Sequence, residues 1–258
     1  MLAAWPATAH AAAPPPYAGQ CGLPAAQPVW MEFGYQFPQF NAILGKSGVV
    51  VGVGSGNYGS QMRATGAATT YFDLNFKNRV GTTTAPANPS LIAGRVQSFF
   101  TYAQQQTGCA TPVIALNELS GPGLVTPWSD NNAQYRANIL AFVQELAAKG
   151  AYPELLLPSK PYTGGDAGVW WQQVSQYAEL VREIYVPAPA TWKLGPVLGN
   201  RTLRTDYRQA VDDFTSIGIP ANRVGIMISF ATTAGFGGRN NLQPASEWYQ
   251  VAKWQALA

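Results

Sequence analysis

Thr111-Pro112-Val113-Ile114-Ala115-Leu116-Asn117-Glu118-Leu119-Ser120-Gly121 is the stretch from which the fold is read. A Pro-started apolar run of strand length ends abruptly in an amide and a carboxylic acid, and a Ser-Gly-Pro-Gly turn follows. An apolar run of about five residues bounded by turn signals reads as a strand buried on both faces, as in a parallel sheet. A carboxyl group at the C-terminal end of such a strand points into the crevice where α/β proteins take their ligands. The plainer reading of Glu118 is a salt bridge to a loop arginine.

Working outward, strand and helix signals alternate. Strands are expected at Val29–Phe33, Val49–Val53, Thr69–Asp73, the opening stretch, Glu154–Leu157, Glu183–Val186 and Arg223–Phe230. Helices are expected around Pro38–Leu44, over Gln61–Ala64, from Pro89 to Gln106, Asn131 to Lys149 and Gly168 to Ala178, within Leu198–Ile217, and from about Ala245 to Leu257. Pro89 suits a first helical position, and Gly66 and Gly150 suit helix ends. Alternation without hairpin signals argues a parallel sheet with right-handed crossovers. Gly52-Val53-Gly54-Ser55-Gly56 does not meet the dinucleotide-binding spacing. The expected fold is therefore α/β, a (β/α)8 TIM-barrel type lacking its eighth βα unit. Open edges at the first and seventh strands would then favour a homodimer that covers the gap.

Composition narrows the function. Charged residues are 11% of the 258, with a net charge of +3 and no basic run, so a nucleic-acid or anionic-membrane partner has no electrostatic footprint. No apolar run is long enough to span a membrane. Residues 1–26 read as an export leader and Ala/Pro-rich tail, and 27–258 as the barrel domain. Ala9-His10-Ala11 fits a signal-peptidase site, though no basic region precedes it, and a plain Ala/Pro leader is the alternative. The expectation is a secreted or cell-envelope protein. In that setting Cys21 and Cys109, each a few residues before a predicted strand, would be bonded to each other.

The chemistry is reached by elimination. The one histidine, His10, lies in the leader, which removes His-based nucleophile systems and His-ligated zinc. No metal and no cofactor are expected. Of the acids, Glu154 and Glu183 are placed at strand starts, away from the site. Glu32, Asp73 and Glu118 are placed near the C-terminal ends of strands. Asp73 and Glu118, on neighbouring strands, could face each other as the two carboxylates of glycoside hydrolysis, with Glu32 as the other candidate second group. Asn57, Tyr58, Asn75, Asn117, Trp128, Tyr162, Tyr185 and Trp192 are the candidates for stacking on sugar rings and bonding hydroxyls. Trp170, Trp171, Trp248 and Trp254 sit at helical positions and read as packing.

Asn117-Glu118 at the end of strand four resembles the Asn-Glu pair of the large clan of (β/α)8 retaining glycoside hydrolases. The chain is also similar to uncharacterised exported bacterial glycosidase-like proteins. The resemblance implies that Glu118 is the general acid/base and that Asn117 bonds the sugar 2-hydroxyl. It departs from the clan at strand seven, where Ser229-Phe230-Ala231-Thr232-Thr233 offers no carboxylate nucleophile. The expectation is an exported hydrolase-like barrel acting on a polysaccharide or glycan. The alternative is a catalytically silent barrel that binds carbohydrate or cell wall.

Overall fold

The structure is a computed structural model that describes residues 20–23, 29–31, 44–54, 56–117, 119, 132–186, 188–228 and 245–258. Glu32, Glu118, Trp128, the predicted helix before Leu44 and nearly all of residues 1–26 lie outside them. Among the described residues seven strands form one sheet in the order of the chain: β1 Val29–Met31, β2 Val50–Val53, β3 Ala68–Asp73, β4 Val113–Leu116, β5 Tyr152–Leu157, β6 Glu179–Ile184 and β7 Val224–Ile228. Every neighbouring pair is parallel. This is a TIM-barrel-type α/β sheet, and among the described residues β1 and β7 are its unpaired edges.

Helices follow the strands as α1 Tyr58–Ala64, α2 Lys77–Val80, α3 Ile92–Thr107, α4 Ala133–Ala148, α5 Asp166–Ser175, α6 Ala188–Lys193, α7 Gly195–Thr215 and α8 Ala245–Leu257. Local chemistry sets their ends. Asn88 accepts a hydrogen bond from the Ser90 amide and Pro89 enters the turn that leads into α3. Gly108 closes α3 in the left-handed conformation, φ 65°, which a side chain rarely adopts.

Strand side chains divide between two faces. Tyr71, Ile114, Leu116, Leu155, Leu157 and Leu180 join the helix residues Phe99, Phe142, Trp171 and Phe214 in the main core. Phe142 is its hub, with Phe76 and Phe99 each 5.5 Å away between ring centres. Residues of the opposite parity, Phe72, Ala115, Leu156 and Val181, pack with Leu74 and Met227 in a cluster that contains no helix residue. That second cluster is the concave face of the curled sheet. Its amino-terminal end is closed by Leu23, packed with Val50, Val113 and Tyr152.

Cys21 and Cys109 are bonded, with their Cα atoms 5.5 Å apart. The bond ties the turn carrying Leu23 to the loop between α3 and β4. No described helix is long and apolar enough to cross a membrane.

Two strands begin earlier than the sequence suggests. β5 starts at Tyr152, so Glu154 is its third residue rather than its first. β6 spans Glu179–Ile184, so Glu183 lies at its carboxyl end and not at its start. Three charged residues among the six of Glu179-Leu180-Val181-Arg182-Glu183-Ile184 obscure a strand that is nonetheless buried.

The disulfide spans 88 residues of sequence. In the chain-entropy treatment its loss removes about 4–5 kcal/mol. Cys109→Ser is expected to lower the melting temperature measurably, and an unchanged melting curve would show that the Leu23 turn is held by packing alone.

Candidate functional site

In a parallel barrel the ligand end is the carboxyl end of the strands. On the concave face there, the floor is Phe72, Ala115, Leu156, Val181 and Met227. Three polar residues share that face by strand parity. Asn117 lies two residues beyond Ala115, and Glu183 and Tyr185 lie two and four residues beyond Val181. The Tyr185 hydroxyl points at the Met227 sulfur, 3.6 Å away. The Asn117 amide donates to the Asp73 carbonyl at 3.0 Å, which holds the end of β4 against β3. Glu183 is 5% exposed and stands opposite Met227 in the β6–β7 register. A buried carboxyl over an apolar floor, flanked by a phenol and an amide, offers hydrogen-bonding groups beside an apolar surface.

Asp73 corrects the paired-carboxylate expectation. It is two residues beyond Tyr71 and shares that residue's face, the one turned to the helices. There its carboxylate faces Arg79 at 3.6 Å and accepts the Asn75 amide at 3.2 Å. The Arg79 guanidinium in turn lies 5.0 Å above the Phe99 ring of α3. Burial raises the Asp73 pKa, and Arg79 opposes that shift. The group is a structural ion pair between β3 and the helix layer.

The other candidates separate along similar lines. Tyr58 is buried in the core with Val51, Val53 and Met62. Trp192 stacks on Trp254 of α8, ring centres 5.6 Å apart and planes 10° from parallel. Trp170 and Trp171 are packing residues, as read. Asn57 and Asn75 are exposed, and Tyr162 lies in the loop before α5, its carbonyl accepting from the Trp171 indole at 3.0 Å. Lys160 pairs with Asp213 of α7 at 2.8 Å. Glu118, Glu32 and Trp128 are outside the described residues.

Sequence reasoning missed Glu183, because the strand was read four residues late. The signal was present in parity: Glu179, Val181 and Glu183 alternate with Leu180 and Ile184, and Val181 marks the concave face.

No family model matches the chain, and no curated protein resembles it in sequence. Among solved structures it is similar to a D-psicose 3-epimerase crystallised in the presence of D-fructose. That similarity has 11% identity and a TM-score of 0.47, over 88% of this chain and 93% of that one. It is also similar to a xylose isomerase domain protein from Planctomyces limnophilus, with 12% identity, a TM-score of 0.42 and coverage of 89% and 93%. Their names are those of a sugar epimerase and a xylose isomerase domain protein. The barrel-type fold that the resemblance implied stands on the parallel sheet in chain order. The hydrolase expectation is not retained, because Asp73, the second carboxylate it called on, faces Arg79 and the helix layer.

Arg79→Met is expected to cost roughly 1–3 kcal/mol, because a buried carboxylate loses its cation. Adding Asp73→Asn should recover most of that loss in a double-mutant cycle. Additive losses in chemical denaturation would show that the two groups do not interact.

Proposed function

We propose that the chain binds a small sugar or related polyol at the carboxyl end of its sheet and moves a proton on it. Glu183 is the acid–base group. The observation that carries this reading is the placement of Glu183 on the concave face, buried, at the carboxyl end of β6. Asn117, just beyond β4, is level with Val181 of β6 by register, so Glu183 lies two strands across and two residues further along, about 12 Å away between backbones, room for one sugar-sized molecule between the side chains. Asn117 and Tyr185 would bond hydroxyls, and the floor of Phe72, Leu156 and Met227 would take the apolar face of the ring.

A single carboxylate suffices for aldose–ketose isomerisation next to a carbonyl. Glu183 takes the proton from the carbon beside the carbonyl, leaving an enediolate. The hydroxyl proton passes from one enediolate oxygen to the other, and Glu183 returns its own proton to the former carbonyl carbon on the same face. The expelled water and low local dielectric strengthen the hydrogen bonds that hold the enediolate oxygen. The Cys21–Cys109 bond supports a working place in an oxidising compartment, at the cell envelope or outside it.

The test is solvent-deuterium uptake into a panel of aldoses and ketoses, followed by NMR. Uptake beside the carbonyl is expected for at least one sugar. Glu183→Gln should reduce it by about 10²-fold or more, while changing the sugar's dissociation constant far less. No uptake with any sugar, or full uptake in the Gln variant, would refute the reading.

A further inference from the structure

The outer face of the helix layer carries groups that the proposed chemistry does not use. α6 ends at Lys193 and α7 begins at Gly195, whose φ of 74° turns the chain through a corner. On this corner Leu194, Val197 and Leu198 are 44%, 70% and 52% exposed. Exposed Lys193 flanks them on one side. Exposed Arg201 and Arg208 follow on the face of α7 that carries Val197 and Leu198, by steps of three, four and seven residues. The opposite face is the buried one, with Leu203, Tyr207, Ala210 and Phe214. We infer that this corner docks on a bilayer surface that carries anionic headgroups.

The first support is charge. The sequence has no basic run, but the helix aligns cations that the sequence scatters, Arg201 and Arg208 standing about 10 Å apart along the axis. Neither is paired with a carboxylate among the described residues, whose ion pairs are Arg79–Asp73 and Lys160–Asp213. Arg204 is engaged within the protein, its Nη2 lying 3.5 Å from the Leu257 carbonyl at the end of α8. Asp206 is partly buried and points about 140° away from Arg201 around the helix. The acid on the exposed face is Asp212, about 16 Å along the axis from Arg201. The apolar turn is therefore bordered by cations alone.

The second support is shape. A Cβ added to Gly195 would meet nothing within 4 Å, so the corner projects into open space. A folded partner would need a groove cut to fit it, whereas lipid closes around any protrusion. The apolar side chains enter among the acyl chains, and the long lysine and arginine stems leave their charges at the level of the phosphates. A second copy packed by the same face would set cations against cations, or cations against the apolar turn, and both are unfavourable. α7 runs from the corner back to the start of β7, which places the corner at the carboxyl end of the sheet. This inference does not depend on the role of Glu183.

Flotation of the full, disulfide-bonded chain with vesicles tests it, using phosphatidylcholine alone or mixed equally with phosphatidylglycerol. The chain should float with the mixed vesicles and not with the neutral ones, and added salt should release it. Replacing both Arg201→Gln and Arg208→Gln should weaken binding about 30-fold, at about fivefold per charge. Val197→Asp should weaken it about tenfold or more. Both variants are expected to keep the wild-type melting curve, because the side chains are exposed. Should either fail to fold, amide hydrogen exchange of the wild type decides the matter. Residues 194–201 should exchange more slowly on the mixed vesicles, and unchanged exchange there would overturn the proposal. So would absent binding, equal binding to neutral vesicles, or variants that bind as the wild type does. A concentration-dependent dimer abolished by Val197→Asp, without vesicle binding, would also overturn it and assign the corner to a second copy.

Discussion

Successive side chains on a strand leave opposite faces of the sheet, and this constraint organises the molecule. Each charged residue in β3, β5 and β6 is committed to the helix layer or to the concave face. Asp73 shares a face with Tyr71 and is held among helices by Arg79. Glu154, Glu179 and Glu183 share a face with Leu156 and Val181 and enter the barrel. A one-residue slip in either strand would exchange these sets and place apolar side chains where carboxyls stand. The aromatic core around Phe142 and Trp171 resists that slip, because the helix-facing positions are filled at close packing.

The buried charges are arranged by height along the sheet. At the amino-terminal end, closed by Leu23, Tyr152 bonds Glu179 and carries Arg223 over its ring. At the carboxyl end, Glu183 sits above an apolar layer of Phe72, Leu156, Val181 and Met227. That layer separates the two groups of acids by about 13 Å along β6, four residues at 3.3 Å each.

Much of the architecture was legible in the sequence. The apolar run Val113–Leu116, the β-branched run Val50–Val53 and the Pro and Gly punctuation gave the parallel strand–helix alternation in the correct order. The cysteine pairing was legible from the two pre-strand positions. Among the site candidates, Asn117 and Tyr185 reach the concave face, whereas Tyr58 and Trp192 are taken up by packing. Asp73 was misplaced because nearness to a strand's carboxyl end was weighed without its parity. Glu183 was missed for a different reason. Arg182 sits on the helix side; burial disfavours its charge, which Asp213 and then Glu183, from the other face of the strand, favour. A strand carrying charges on both faces lacks the apolar continuity by which a buried parallel strand is recognised.

The central claim is that the concave carboxyl end, and not the Asp73 pocket, is where a ligand meets this chain. The most direct measurement is 13C NMR of labelled Asp and Glu carboxyls during titration with a small sugar that binds. The Glu183 carboxyl resonance should move with saturation while that of Asp73 stays fixed. A shift at Asp73 with Glu183 unmoved would place the site on the helix side and contradict the account.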